Sequence, residues 1–327
     1  MSVSYGSEVI SLRVLITGAN GFVGKYLIPL FVESKADIFA PILHGTSPDK
    51  LTCIGYPIHV WEWDLTSFEE VENGIRTAQP DVIIHLAAQS SVGVSFQDPL
   101  GTFRANLDGT LHLLESVRRL SLLPTILLIA SAEIYGEVEV THLPIQEEEP
   151  LRPLNPYGAS KAAADIIGFQ YWRAFQLPIV RLRSFNHIGP GQGIQFVISA
   201  WAKQIAEMEK GLRTANLFVG EMSVSRDFLD VRDVVEAYWF ATKKARPGEA
   251  YNICSGIPMP LTTILEKLQS LAHISFQLKQ SKDLIRKSDA KAVFGDPSKF
   301  QRETGWFPKR DLNSTLEAVL NWWRGQV

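Results

Sequence analysis

The sequence predicts an α/β protein: a doubly wound parallel sheet followed by a smaller, mixed α/β C-terminal lobe. Three observations carry that expectation. Through the first half of the chain, short continuous apolar runs alternate with amphipathic segments, the pattern of strands covered on both faces and joined by helices. A glycine-rich turn, Thr17 to Gly24, directly follows the first apolar run. Beyond about Arg183 the alternation gives way to longer loops with irregularly mixed helices and short strands. The expected division is 1–183, with returning segments near 228–254, and a second lobe formed mainly by 184–327.

The elements follow in order. Arg13-Val14-Leu15-Ile16 reads as a buried strand ending in the glycine turn, with a helix from about Phe22. Pro29 interrupts that helix, so a kink or an early end is expected there. Asp37 to Ile42 and Ile58 to Trp61 are the next strands; Val82 to Leu86 and Thr125 to Ile129 are clearer, being continuously apolar. Pro178 to Leu182 follows a helix that carries Tyr157 and Lys161. Later, Val231 to Thr242 reads as a helix returning to the first domain and Tyr251 to Cys254 as a short strand. Leu316, Val319, Leu320 and Trp323 give the last helix an apolar face. Strand–helix alternation of this kind implies right-handed crossovers in a parallel sheet.

Composition narrows the function classes. The 327 residues are ample for a buried core, and 46% hydrophobic with 20% charged residues describes an ordinary soluble globular protein. A formal net charge of -3 gives no electrostatic support for a nucleic-acid partner. Cys53 and Cys254 stand alone, with no disulfide framework or zinc spacing, which fits a reducing cytoplasm. Met1 to Leu12 lacks the basic start and apolar run of a signal peptide, and no later stretch is long enough to span a bilayer. A cytoplasmic protein with no membrane partner is expected.

The chemistry lies in three places. Gly18, Gly21 and Gly24 form G-x-x-G-x-x-G between a strand and a helix, a variant of the Rossmann-type dinucleotide fingerprint. Asn20, Phe22 and Val23 fill the turn, whose helix N-terminus would supply N–H groups to a pyrophosphate. An acid ending the second strand would bind the ribose hydroxyls of NAD, but Ile42 to Ser47 contains none. His44, Thr46 and Ser47 could accept a 2'-phosphate instead, which tilts the choice toward NADP(H); with no Arg in that turn, NAD(H) stays open. Tyr157 and Lys161, four apart, share one helix face, so the ammonium could lower the phenol's pKa. Ser131, at the end of another strand, could hold a substrate oxygen beside that phenol. Together they make machinery for hydride transfer at a carbinol or carbonyl carbon.

These motifs resemble the extended short-chain dehydrogenase/reductase superfamily, in its nucleotide-sugar-modifying branch. The resemblance rests on Thr17 to Gly24, His85 to Ser91, Ser131 to Gly136, Tyr157 to Lys161, Arg226-Asp227-Phe228 and Thr304-Gly305-Trp306, and covers essentially the whole chain. It implies NAD(P) in the N-terminal domain, with Asp64 and Leu65 near adenine and Leu86, Ala87 and Ala88 along the cofactor, and a nucleoside-diphosphate sugar in the C-terminal lobe. Asp64 could equally cap the helix that starts near Ser67. Ser184 to Gln192 is similar to the GDP-mannose-derived group of 4,6-dehydratases and 4-ketoreductases. The wording His187-Ile188-Gly189-Pro190-Gly191-Gln192 resembles the reductases more closely. The dehydratases typically carry an acid between that His and Gly, an Arg pair after the Pro, and Thr where this chain has Ser131. The implied reaction is reduction of GDP-4-keto-6-deoxy-D-mannose to GDP-D-rhamnose, with a homodimer as the family's expectation.

Glu133 matches the dehydratase base of the GDP-mannose group, with Ala132 beside it; it is equally read as a carboxylate ordering a neighbouring hydroxyl or amide. By resemblance Arg226 and Arg286 reach the substrate diphosphate, where a planar guanidinium matches phosphate oxygens; the plain alternatives are pairs with Asp227 and Asp289. Asn186 is expected at the sugar or a phosphate, Lys203 at the nucleotide or in solvent, and Ser90 with Ser91 at the edge of the substrate cleft. Asn106 would order the active-site region. His187 reads as a packed histidine, and His85 is assigned no chemistry.

Overall fold

The computed structural model describes residues 11–52, 55–281, 284 and 290–327; Met1 to Ile10, Cys53 and Arg286 lie outside them. In chain order the elements are β1 (Arg13–Thr17), α1 (Phe22–Glu33), β2 (Asp37–Phe39), α2 (Asp49–Thr52), β3 (Ile58–His59), α3 (Phe68–Ala78) and β4 (Val82–His85). There follow α4 (Val92–Gln97), α5 (Pro99–Phe103), a π-helical turn (Arg104–Asp108), α6 (Gly109–Arg119), β5 (Thr125–Ser131), α7 (Pro156–Phe175), β6 (Ile179–Ser184) and β7 (Asn186–Ile188). The remainder is α8 (Val197–Glu209), β8 (Asn216–Val219), β9 (Ser225–Asp230), α9 (Val231–Lys244), β10 (Ala250–Ile253), β11 (Pro258–Pro260) and α10 (Leu261–Leu271). The chain closes with β12 (Gln277–Gln280), β13 (Ala292–Val293), α11 (Ser298–Thr304) and α12 (Leu312–Arg324).

Seven parallel strands form the main sheet in the order β10-β6-β5-β4-β1-β2-β3. The order reverses at β1/β4, which is where an open α/β sheet takes its ligand, beyond the C-terminal strand ends. Alternation along each strand decides which layer a side chain joins. Val14, Ile16, Val82, Ile84, Leu127, Val180 and Leu182 pack with Leu27, Ile28 and Phe31 of α1 and Val234, Tyr238 and Ala241 of α9. Leu15, Ile83, Ile126, Leu128 and Ile179, on the opposite face, pack with Val71 and Ile75 of α3 and Leu113, Leu114 and Val117 of α6. Both faces are therefore sealed, each fully buried aliphatic side chain stabilising by roughly 1.5–3 kcal/mol.

The C-terminal half adds a short sheet in which β9 pairs antiparallel with β11 and parallel with β7 and β13. β8 and β12 form a separate parallel pair. Ile198, Trp201, Ile205 of α8, Ile264 and Leu268 of α10, and Leu316, Val319 and Leu320 of α12 make a second apolar cluster beneath them. No helix among the described residues is long and apolar enough to cross a membrane.

Pro29 behaves differently from expectation: α1 continues through it to Glu33. Pro29 lies on the exposed face, where water can take the carbonyl bond its missing N–H leaves. The strands near it are shorter than the apolar runs suggest. β2 stops at Phe39, after Ala40 a proline follows, and pairing resumes only as the single bridge Ile42–Glu62.

Candidate active site and cofactor cradle

The glycine turn is shaped for close backbone approach. Gly18 has φ +69°, and a Cβ there would sit 2.8 Å from the Ala87 nitrogen. A Cβ on Gly24 would sit 2.1 Å from the Ala19 carbonyl oxygen. Only glycine lets α1 begin where it does, against both the turn and the β4 end. The N-cap of α1, Gly21, has no side chain to bond the first-turn N–H groups, and that turn contains no acid. Amides of Phe22, Val23 and Gly24 and the helix dipole are thus offered to an anion, and the residues present fit a dinucleotide pyrophosphate. Asn20 Nδ2 donates to Thr46 Oγ1 at 3.2 Å, joining this turn to the one after β2.

That second turn differs from expectation. His44 is held between two carboxylates, Glu62 Oε2 at 3.1 Å from Nδ1 and Glu70 Oε2 at 2.7 Å from Nε2. Hydrogen bonding from Glu70 and then Glu62 raises the imidazole's pKa. Asp64 forms a turn, accepting from the Thr66 backbone and hydroxyl at 2.8 Å, while Ser67 occupies the N-cap of α3. The Leu65 carbonyl accepts from His112 Nδ1 at 2.8 Å.

α7 starts with Asn155 as N-cap, its Oδ1 accepting from the Gly158 amide at 2.8 Å, and Pro156 at the first position. Tyr157 and Lys161 follow on one face. Lys161 is buried, with Nζ donating to the Ile129 carbonyl at 2.8 Å, and burial pulls its pKa down to about 8. Burial pushes the Tyr157 phenol up to about 12, against a lowering by hydrogen bonding from Ser131 and with a further rise from the Glu133 charge. Lys161 is thus not what sets the phenol's pKa, contrary to expectation: its ammonium is engaged by a carbonyl of β5, and desolvation dominates at Tyr157. Ser131 Oγ accepts the Glu133 amide at 3.2 Å, and Glu133 Oε2 accepts from Asn155 Nδ2 at 2.8 Å. The carboxylate thus braces the N-cap of the helix bearing Tyr157.

On the substrate side, Arg226 lines a small cleft together with Glu133, Asn155, Ala132 and Leu154. Its Nη1 donates to the Ser225 and Ala290 carbonyls, both at 2.8 Å. Asp227 is turned away and fully buried, accepting from the Ser255 amide and hydroxyl and the Gly256 amide at 2.7–2.9 Å. Asn186 Nδ2 donates to the Asp227 carbonyl at 3.3 Å. Lys203 lies 3.5 Å from Glu207 and over the Trp323 ring, so the structure gives it local partners. Ser90 is exposed beyond β4, while Ser91 Oγ caps α4. His187 stacks on Phe22 at 6.1 Å, its Nδ1 donating to the Phe185 carbonyl.

The GDP-mannose 4,6 dehydratase family model matches residues 15–319. The chain belongs to that family. It is 34% identical to GDP-6-deoxy-D-mannose reductase of Pseudomonas aeruginosa (strain PAO1), over 96% of this chain and 98% of the relative. It is 29% identical to GDP-6-deoxy-D-talose 4-dehydrogenase of Aggregatibacter actinomycetemcomitans, over 90% and 92%. Among solved structures it is similar to RMD from P. aeruginosa complexed with NADPH, with 34% identity, a TM-score of 0.83, and coverage of 97% of this chain and all of that one. UDP-glucose 4-epimerase of Thermus thermophilus with NAD gives 28% identity and a TM-score of 0.85, at 97% and 100% coverage. The superfamily and branch read from the motifs are those the matches show.

This family member also contains two buried polar networks that the sequence reading did not identify. His85 lies between Thr17 Oγ1, 2.8 Å from Nδ1, and Thr110 Oγ1, 3.2 Å from Nε2. The Ala87 amide donates to Thr17 Oγ1, and the Thr110 hydroxyl donates to the Asn106 carbonyl at 2.6 Å. With its own proton on the Asn106 carbonyl, Thr110 accepts from Nε2–H, and because burial keeps the ring neutral, Nδ1 accepts from the Thr17 hydroxyl. Asn106 Nδ2 donates on to Ser160 Oγ at 2.9 Å, which donates to the Tyr157 carbonyl at 2.8 Å. These bonds, which meet at the backbone and the side chain of Asn106, link the strand ends under the cofactor cradle to the catalytic helix. Asn106 also clasps both backbone groups of Gln89, ordering the site through direct bonds.

The second network centres on the Arg183–Asp165 pair, bidentate at 3.0 and 2.8 Å, with Arg183 Nη1 reaching Tyr135 and the Glu147 carbonyl. Tyr135 then donates to Asn252 at 2.7 Å. Two arginines at alternate positions of an otherwise apolar strand, Arg181 and Arg183, were its signal: a buried charge needs a partner.

Proposed function

We propose that the protein reduces the C4 ketone of GDP-4-keto-6-deoxy-D-mannose to give GDP-D-rhamnose, using NADPH and accepting NADH. The observation that carries this reading over dehydration is the placement of Glu133. Its carboxylate accepts from Asn155 Nδ2 at the start of α7, where it braces the cap of the helix that carries Tyr157. Tyr157 and Ser131 suffice for reduction, and the similarity to the P. aeruginosa reductase supports the same choice.

The dinucleotide, when bound on the glycine turn, supplies the hydride that forms the new C–H bond at C4. Ser131 orients the ketone oxygen, and Tyr157 releases its proton to that oxygen as it becomes basic. With its pKa pushed up, Tyr157 holds the proton at neutral pH until then. Lys161 offers charge to the resulting phenolate below about pH 8. Arg226, at the mouth of the cleft, binds the diphosphate, with Asn186 and Ser90 as further substrate contacts; Lys203 must leave Glu207 to join them. Arg286 is retained as a diphosphate ligand on its motif position alone.

A GDP-mannose 4,6-dehydratase is the second reading, favoured by the charge of Glu133 lying within reach of Tyr157. Glu133→Gln separates the two. Glutamine still accepts from Asn155, so a reductase keeps turnover within about tenfold, whereas loss of a general base costs about 10²–10⁴-fold. The reading includes a homodimer, supported by the exposed apolar side chains Ile166 and Phe169 on α7 and Leu100 on α5; sedimentation at micromolar concentration checks it. We read the protein as cytoplasmic, in keeping with the free, buried Cys254 thiol.

A further inference from the structure

The end of β2, where this kind of sheet discriminates NAD(H) from NADP(H), has no acid in its own sequence. The folded chain brings two there from other elements. Glu62 follows β3 and reaches the turn through the Ile42–Glu62 bridge; its Oε1 accepts the Gly45 amide at 3.3 Å and its Oε2 meets His44. Glu70 comes from the first turn of α3, and its Oε2 accepts both His44 Nε2 and the Asp64 amide at 2.8 Å. The same turn is tied to the glycine loop by the Asn20–Thr46 bond. The three side chains remain about half exposed, 52% for His44, 49% for Glu62 and 40% for Glu70, so an incoming ligand can touch them.

We propose that His44, Glu62 and Glu70 together form the cofactor-selecting site, in which the two carboxylates oppose a 2'-phosphate and hold the imidazole that would otherwise bind it. The proposal deepens, and rests on, the dinucleotide reading above. Each ring nitrogen faces a carboxylate, and a carboxylate only accepts, so both nitrogens carry protons and the ring is a cation. The set then has one positive and two negative charges. A 2'-phosphate must share His44 with both acids and meets net negative charge. A ribose 2'-hydroxyl instead can donate to either carboxylate without conflict. His44 favours the phosphorylated cofactor and the two acids favour the plain one, so neither is excluded and selectivity is low. Along the sequence His44, Thr46 and Ser47 lie together and show the 2'-phosphate side of this balance; the two opposing acids come from later elements.

The test is calorimetric titration of the purified protein with NADP⁺ and with NAD⁺, without sugar substrate, for the parent, Glu62→Gln and His44→Gln. Relieving one like charge beside a doubly charged phosphate is worth about tenfold. Glu62→Gln should tighten NADP⁺ about tenfold while NAD⁺ binds no tighter. His44→Gln should weaken NADP⁺ by a similar factor, reversing the ratio. Glu70→Gln, expected to act as Glu62→Gln does, serves if the first variant melts at a much lower temperature. Dissociation constants for both cofactors that move together, or a ratio unchanged in the variants, overturns the proposal and leaves the dinucleotide reading intact. A parent protein that binds neither dinucleotide overturns both.

Discussion

Acidification should destabilise the parent protein more steeply than a His85→Asn variant, because His85 is buried neutral. Burial, and then the nearby Lys161 charge, hold its pKa down to about 3, against an ordinary value of 6.5. Between those values the unfolded chain carries a proton that the folded chain does not. The unfolded state therefore binds more protons, and stability falls as pH falls through that window. Each pH unit is worth about 1.4 kcal/mol, so at pH 5.0 the parent should have lost about 2 kcal/mol through this group alone. Asparagine keeps an acceptor for the Thr17 hydroxyl but cannot reach Thr110, so it costs about 1–3 kcal/mol at pH 7.5. Urea unfolding of both proteins at pH 7.5 and 5.0 gives the double difference, in which other titrating groups cancel. The gap between parent and variant should shrink by about 2 kcal/mol at the lower pH. A gap that stays constant would refute the neutral, doubly bonded His85.

Three further outcomes follow from the geometry. Asp165→Asn leaves Arg183 buried with half its partner lost and should cost about 3–5 kcal/mol in urea unfolding, far more than loss of a surface pair such as Arg76–Glu72. Gly24→Ala places a Cβ against the Ala19 carbonyl, a backbone atom that cannot yield, and should weaken dinucleotide binding at least about tenfold by calorimetry. Turnover should fall as pH rises through about 8, where Lys161 loses its charge, and a rate that is level to pH 10 would show that the ammonium plays no part.

The main sheet was legible because its strands are covered on both faces. Runs such as Val82–Ile84 and Ile126–Leu128 have no polar side that could place them elsewhere. Strand length was less legible. β5 extends to Ser131 and β6 to Ser184 because main-chain pairing continues where the side chains turn polar. Tyr157, Lys161, Ser131 and the glycines could be singled out because each motif is local in sequence. His44's partners could not, since Glu62 and Glu70 arrive from a later strand and helix. The alternative pairing of Arg226 with Asp227 does not form, because neighbours along a strand point to opposite faces: Asp227 turns inward to Ser255 and Gly256 while Arg226 faces the cleft.

The central claim, ketone reduction by Tyr157 with hydride from a nicotinamide, is tested most directly by following NADPH oxidation when the purified protein meets GDP-4-keto-6-deoxy-D-mannose, with GDP-mannose in a parallel reaction. The account predicts stoichiometric oxidation with the keto sugar alone, nearly abolished in Tyr157→Phe. Conversion of GDP-mannose to a keto sugar without net cofactor consumption would contradict it and make Glu133 the base of a dehydratase.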